Sequence, residues 1–233
     1  MLANCPIVTF NAGSIMLKKG ERARAVYLIL QGVGEAIDTQ RGIHRSLSGG
    51  AIVGELSALM EEGAYWTVRA SSYITAIQVP AELYLSFIRQ NSLEESTRRL
   101  LANRRFLQGT WLFGELIGFS VERAVSAAME PLHAPAGTRV DPGPFARLFL
   151  LEKGEIELLR DGRPCERLGP GAFWGEQEVL GGPHMFDARA AGDAGIFVIP
   201  ARLVADIPIV QWRLLQTNEK RSSATPPRSA RAR

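Results

Sequence analysis

Apolar positions in this chain come in short bursts rather than long periodic faces. The runs at 25–30 (AVYLIL), 34–37 (GEAI) and 75–79 (TAIQV) are rich in β-branched and aromatic residues, as are those at 147–151 (RLFLL), 155–159 (EIELL) and 196–199 (IFVI). Such runs predict strands. Gly, Pro and Asp clusters at 18–20, 40–42, 48–50, 141–144 and 161–164 separate them as turns. Short strands punctuated this way predict a β-sandwich or jelly-roll barrel. Helical patterns flank the strands. One covers 81–89 (AELYLSFIR). A second covers 93–113, opened by the capping-box pair Ser92 and Glu95 and striped by Leu93, Leu100, Leu101, Leu107 and Trp111. A third covers 120–130, capped by Ser120 and ended by Pro131, and a last short helix follows Val210 and fades into the tail.

The bursts occur twice. Residues 12–37 and 136–159 share Ala-Gly, a turn glycine (Gly20, Gly143), an apolar run with an aromatic (Tyr27, Phe149) and a closing glycine (Gly32, Gly154). Further on, LSGGAIVGEL at 47–56 matches LGPGAFWGEQ at 168–177, TVRA at 67–70 matches DARA at 187–190, and IQVPAELY at 77–84 matches FVIPARLV at 197–204. The landmarks keep their order at offsets of 120 to 124 residues. A duplication explains this, and coincidence does not. The expected organisation is barrel 1 over 4–91, connecting helices over 92–131, barrel 2 over 132–212 and a disordered basic tail over 213–233.

Composition changes this picture little. Hydrophobic residues make up 46% and charged residues 22% of 233, as in ordinary globular proteins. No apolar run reaches the length of a membrane span, and the first residues lack a signal-peptide pattern, so a cytoplasmic location is expected. Cys5 and Cys165 are too few for a disulfide framework or a metal knuckle. The net charge of +3 lies in the tail: residues 219–233 carry +4 and the rest −1. The body is therefore neutral, and basicity does not argue for nucleic acid. Arg- and Ala-rich composition points to a GC-rich bacterial source.

This arrangement resembles the cyclic nucleotide-binding domain shared by bacterial catabolite activator proteins and protein kinase A regulatory subunits, here in tandem. Two patterns carry the resemblance: the glycine-spaced strand pair around Gly13–Gly32, and L-x-x-G-x-x-x-G-E. The latter reads Leu47, Gly50, Gly54, Glu55 and again Leu168, Gly171, Gly175, Glu176. The resemblance implies a mainly β fold with flanking helices, built as two jelly-roll β-barrels. It also implies a phosphate-binding cassette after each Gly-Glu, in which a short helix offers N–H groups to the cyclic phosphate and the glutamate accepts the ribose 2′-hydroxyl. An arginine some ten residues on, within Pro-Arg-Ala-(Ala/Thr), pairs with the phosphate through its two-pronged fork.

Both cassettes depart from that pattern. Copy one keeps Gly54, Glu55 and Thr67, with Leu56 and Ser57 following the glutamate, but Gly63, Ala64, Tyr65 and Trp66 replace Pro-Arg-Ala-Ala. Copy two keeps Gly175, Glu176 and Pro183, with Gln177 following, but His184 stands at the arginine position, then Met185 and Phe186. Arg69 and Arg189 lie five residues further on and read as surface strand residues. Loss of one partner of a desolvated charge pair costs about 2–5 kcal/mol, enough to turn a micromolar site millimolar. Tyr65, Trp66 and Phe186 are expected to fill space kept for phosphate. His184 is the one substitution that could carry a charge near neutral pH.

An enzyme fits poorly: His44, His133 and His184 are isolated, without metal-ligand spacing, and no nucleophile or nucleotide motif is present. A DNA-reading helix-turn-helix has no room after the second barrel, and no inhibitory Arg-Arg-x-(Ala/Ser) segment precedes the first, so neither DNA nor a kinase is implied. Two readings remain open. One is a non-catalytic scaffolding module that binds a protein partner, with self-association through the 93–112 helix, and needs no cofactor. The other is a receptor for a cyclic mono- or dinucleotide through altered contacts at Glu55, Glu176 or His184.

Overall fold

The computed structural model of the protein describes residues 5–38, 43–60, 62–114 and 119–223. The chain divides into two compact units, Met1–Arg104 with Ile117–Arg123, and Arg105–Leu116 with Ala124–Arg233.

In the first unit, strands β1 (Ile7–Phe10), β2 (Ile15–Leu17), β3 (Ala25–Gln31), β4 (Gly34–Asp38), β5 (Ile43–Leu47) and β6 (Ile52–Val53) precede a short helix α1 (Glu55–Met60). Strands β7 (Thr67–Ala70) and β8 (Ile74–Pro80) and helix α2 (Ala81–Gln90) follow. The strands form two four-stranded antiparallel sheets in the orders β1-β8-β3-β6 and β2-β7-β4-β5. Ile29, Val53, Ile74 and Ala76 from one sheet meet Met16, Ala36, Leu47, Val68 and Ala70 from the other in a single core. The alternation of inward apolar and outward polar residues is what holds register between such sheets.

The second unit repeats this plan. Strands β9 (Glu130–Ala134), β10 (Arg139–Val140), β11 (Arg147–Lys153), β12 (Ile156–Arg160), β13 (Arg163–Leu168) and β14 (Phe173–Trp174) precede α5 (Glu176–Val179), then β15 (Asp187–Ala190) and β16 (Ala194–Pro200). The sheet orders are β14-β11-β16-β9 and β10-β15-β12-β13, the first unit's orders with each strand replaced by its repeat counterpart. Both units are mainly β with flanking helices, the fold class expected from the sequence. The second core centres on Leu151, Ile156, Leu158 and Ala194, with Phe149 and Trp174 stacked at 5.1 Å between ring centroids.

The helices depart from the sequence reading in three places. Helix α3 runs Glu94–Gln108 and is not opened by Ser92. Ser92 takes a left-handed conformation, φ 53°, and its N–H donates to Arg89 O while Leu93 N–H donates to Ile88 O. Termination of α2 claims the residue that the capping box needed. Helix α4 (Phe119–Ala128) stops before Glu130, because Glu130 and Pro131 pair with Val198 and Phe197 of β16. Proline is tolerated there because β9 is an edge strand. Helix α6 (Pro208–Ser223) continues past Trp212, where barrel 2 was expected to give way to a disordered tail. Val210, Leu214 and Arg221 share its buried face and hold it in place. The expected turn at 40–42 and residues 224–233 of the tail lie outside the described residues.

Candidate functional site

The two Gly-Glu segments begin with a backbone requirement. Gly54 and Gly175 have φ of +90° and +88°, and a Cβ on them would stand 2.8 Å from Ala25 O and 2.4 Å from Arg147 O. Only glycine takes that turn next to β3 and β11 without strain. Each glycine then opens a helix, with Ala58 N–H donating to Gly54 O and Val179 N–H to Gly175 O.

The glutamates that follow are already partnered. Arg104 Nη1 of α3 donates to Glu55 Oε1 at 2.9 Å, and its Nε donates to Glu122 Oε1 of α4 at 3.1 Å. Arg45 of β5 closes the group on Glu122 Oε2. In the second unit, Arg221 Nη1 of α6 donates to Glu176 Oε2 at 2.9 Å and its Nε to Glu166 Oε2 of β13 at 2.7 Å. The Arg221 guanidinium also lies over the Phe173 ring, 5.7 Å from its centroid. Both units therefore place an arginine from a helix that follows the sheets on the glutamate of the Gly-Glu pair. Burial works against the charge of Arg104 and Arg221, but the carboxylates on either side outweigh it and both stay firmly protonated. Burial lifts the Glu55 carboxyl above the ordinary carboxylate range, and Arg104 offsets part of that rise.

The copies differ in charge balance. Where copy one has Arg45 of β5 beside Glu122, copy two has Glu166 of β13 on Arg221 at the matching strand position. Among the described residues, Glu176 Oε1 and Gln177 Oε1 are buried without a hydrogen-bond partner. Gln177 Nε2 donates to Asn218 Oδ1 at 2.8 Å.

A family model for the cyclic nucleotide-binding domain matches residues 7–91 and 141–207, more than half of the chain. The chain belongs to that family. Among solved structures, a cAMP-bound PfPKA-R (141–441) is 14% identical over 94% of this chain and 79% of that one, with a TM-score of 0.59. The regulatory domain of Toxoplasma gondii PKA with cAMP is 15% identical over 92% and 85%, with a TM-score of 0.50. The regulatory subunit of a cAMP-independent protein kinase A from Trypanosoma brucei is 15% identical over 93% and 78%, also at 0.50. At these identities the likeness is one of fold. No curated protein sequence matches the chain. The family is one of regulatory binding domains, not a catalytic type.

Within the family's frame, the cassette of copy one is tied to the loop beside it. Gly20 N–H donates to Ala64 O at 2.8 Å and Ala64 N–H to Glu21 O at 2.9 Å, with a bridge between Arg22 and Gly63. Ala64 is buried. Ser57 Oγ accepts from Ala23 N–H at 3.0 Å and donates to Glu62 O at 2.5 Å. Thr67 Oγ1 accepts from Lys19 N–H at 3.2 Å. Leu56 packs with Leu59, Ile88 and Leu101. Trp66 packs against the first core, and the Tyr65 hydroxyl donates to Glu62.

In copy two, Phe186 packs against the core with the Arg160 guanidinium 6.0 Å from its ring centroid. His184 has a carboxylate on each nitrogen, Nδ1 at 2.5 Å from Glu178 Oε1 and Nε2 at 3.4 Å from Asp187 Oδ1. Burial works against its charge, but the two carboxylates outweigh it and raise the imidazole above its ordinary pKa. Arg69 and Arg189 lie on outer strand faces, donating to Glu35 Oε1 and Glu157 Oε2, each at 2.7 Å. Those ion pairs hold the Glu35 and Glu157 carboxyls below the ordinary range.

Arg104 and Arg221 were missed from sequence. They follow their glutamates by 49 and 45 residues, and no local motif marks them. Comparing the arginines in the helix after each repeat is the signal that could have found them. Among the described residues, no group of three or more His, Cys, Asp or Glu side chains could hold a metal, and no helix is long and apolar enough to cross a membrane.

Proposed function

We propose that the protein is a non-catalytic regulatory module whose two domains act by binding a protein partner, with cyclic AMP recognition lost or greatly weakened. One observation carries this reading. Where a cyclic phosphate's charge would have to be met, copy one offers the methyl group of buried Ala64, and copy two offers a histidine already shared by two carboxylates. An anion entering copy two would also face Glu178 and Asp187 directly, and like charges at close range disfavour binding. The Trypanosoma brucei subunit of similar fold belongs to a kinase described as cAMP-independent, which supports the proposal. The family's regulatory subunits lend support to a protein partner in the same way.

A second reading rests on copy two. The buried, unpartnered oxygens of Glu176 and Gln177 favour a ligand that donates hydrogen bonds and carries little negative charge.

Thermal-shift titration with cyclic AMP, cyclic GMP and cyclic di-GMP, to millimolar concentration at about pH 6 and pH 8, tests the proposal. A ligand at 100 times its Kd adds about 2.7 kcal/mol, a rise of several degrees. No rise with any of the three is expected. A rise with one of them overturns ligand independence and selects the receptor reading.

A further inference from the structure

We propose that the loop joining α5 to β15 in the second domain is a proton-operated latch, closed by protonated His184 and released when His184 becomes neutral. His184 lies within that loop, and its two nitrogens reach opposite ends of it. Nδ1 meets Glu178 of α5 at 2.5 Å, and Nε2 meets Asp187, the first residue of β15, at 3.4 Å. The protonated ring donates from both nitrogens and draws the ends of the loop together. The neutral ring carries one N–H only, so one contact becomes an imidazole lone pair facing a carboxylate oxygen, and Glu178 and Asp187 lose the cation between them.

The charged groups around the latch are few. Glu178 faces it from α5 and Asp187 from β15. Arg139 of β10 pairs with Asp187 Oδ2 at 3.7 Å, and Arg160 of β12 covers Phe186 two residues on. Arg139 leaves Asp187 partly neutralised when His184 loses its proton, so Glu178 is the carboxylate whose partner changes most. Three backbone bonds at the start of the loop do not titrate, from Leu180, Gly181 and Gly182 N–H to Glu176 O, Glu178 O and Gln177 O at 3.0, 3.2 and 2.8 Å, and Phe186 is packed against the core; release therefore frees the segment between them, 183–185. The first domain has no counterpart, because Ala64 holds the matching position. The device makes the surface of one domain, and not the other, respond to pH near neutrality. That response does not depend on whether the domain binds a nucleotide.

Hydrogen exchange of the full-length protein between pH 6 and pH 8, expressed as protection relative to the unstructured peptide rate, reads the latch directly. With His184 in charge-assisted contacts at the surface, protection of the His184 and Met185 amides is expected to fall roughly three- to tenfold from pH 6 to pH 8. The matching amides of Ala64 and Tyr65 in the first domain should stay constant. His184→Gln should abolish the pH dependence. Glu178→Gln should keep the loop folded but move the fall to lower pH, in step with the His184 titration followed by NMR. Protection that is flat with pH in the native protein overturns the proposal, and so does a His184 midpoint at or below about 6.5 or one unmoved by Glu178→Gln.

Discussion

Arg221→Met removes the cation from a carboxylate that has no other counter-charge among the described residues. Glu176 and Arg221 are 2% and 8% exposed at their side chains, whereas the second partner, Glu166, is 41% exposed. Glu166 can therefore turn to water at little cost, of order 0–1 kcal/mol. Glu176 cannot. Breaking a buried pair from one side costs about 3–5 kcal/mol, and some relaxation around Glu176 brings the figure to the lower part of that range. The expected loss is thus about 3–4 kcal/mol at pH 7, or roughly 10–20 °C in the transition of the second domain. Urea unfolding followed by tryptophan fluorescence suits the measurement, because Trp111, Trp174 and Trp212 of the four tryptophans lie in the second unit. The double variant Arg221→Met/Glu176→Gln should regain most of the loss, since no charge then stays buried. A loss below about 1 kcal/mol at pH 7, or no rescue by Glu176→Gln, would refute the reasoning.

Gly175→Ala should destabilise the second domain by at least about 2 kcal/mol in the same urea assay, because the left-handed φ and the approach to Arg147 O both act against a methyl group; a neutral result would remove the backbone explanation of the motif. Tyr84 is pushed up to about 12, first by burial and then by Glu55. The unfolded chain ionises there before the folded one, so native stability should fall as pH rises past about 10, and Tyr84→Phe should flatten that fall. Glu157, held low by Arg189 and then Arg167, stabilises above the ordinary carboxyl range and loses that contribution as pH falls through its folded value; Glu157→Gln should make the acid limb of the stability profile shallower.

The parts of the fold legible in the sequence are those with a continuous apolar run. The stretches AVYLIL, RLFLL and IFVI are the inner strands β3, β11 and β16, each paired on both sides; nearly every position of RLFLL and IFVI is buried, and in AVYLIL Ala25, Val26 and Ile29 are, so the apolar run is unbroken. Strands such as IHRSL and RPCERL lie at sheet edges with polar outer faces, and two-residue strands such as Ile52–Val53 hold too little pattern to detect. Ser92 and Pro131 show local signals losing to tertiary ones. Each carries a correct propensity, but the end of α2 and the edge of a sheet claimed them first. At the candidate site, the departures at Ala64 and His184 were legible because the resemblance to the family places an arginine at both positions. The occupants of Glu55 and Glu176 were not, since arginines more than forty residues away leave no trace in local spacing.

That asymmetry bears on how the family signature should be read. The glycines of L-x-x-G-x-x-x-G-E are fixed by backbone geometry: Gly54 and Gly175 turn where a Cβ would strike a neighbouring strand, whatever occupies the cassette. The glutamates are paired with arginines of the same domain, half-buried Arg104 and buried Arg221, and those pairs satisfy their charge without any ligand. Every retained element of the signature thus has a structural reason to persist. On the proposed function, Ala64 and the His184 group, by contrast, stand where the ligand's charge would have to be answered. A signature retained where the fold needs it and altered where only a phosphate would is the pattern expected of a domain kept for its surface and its shape.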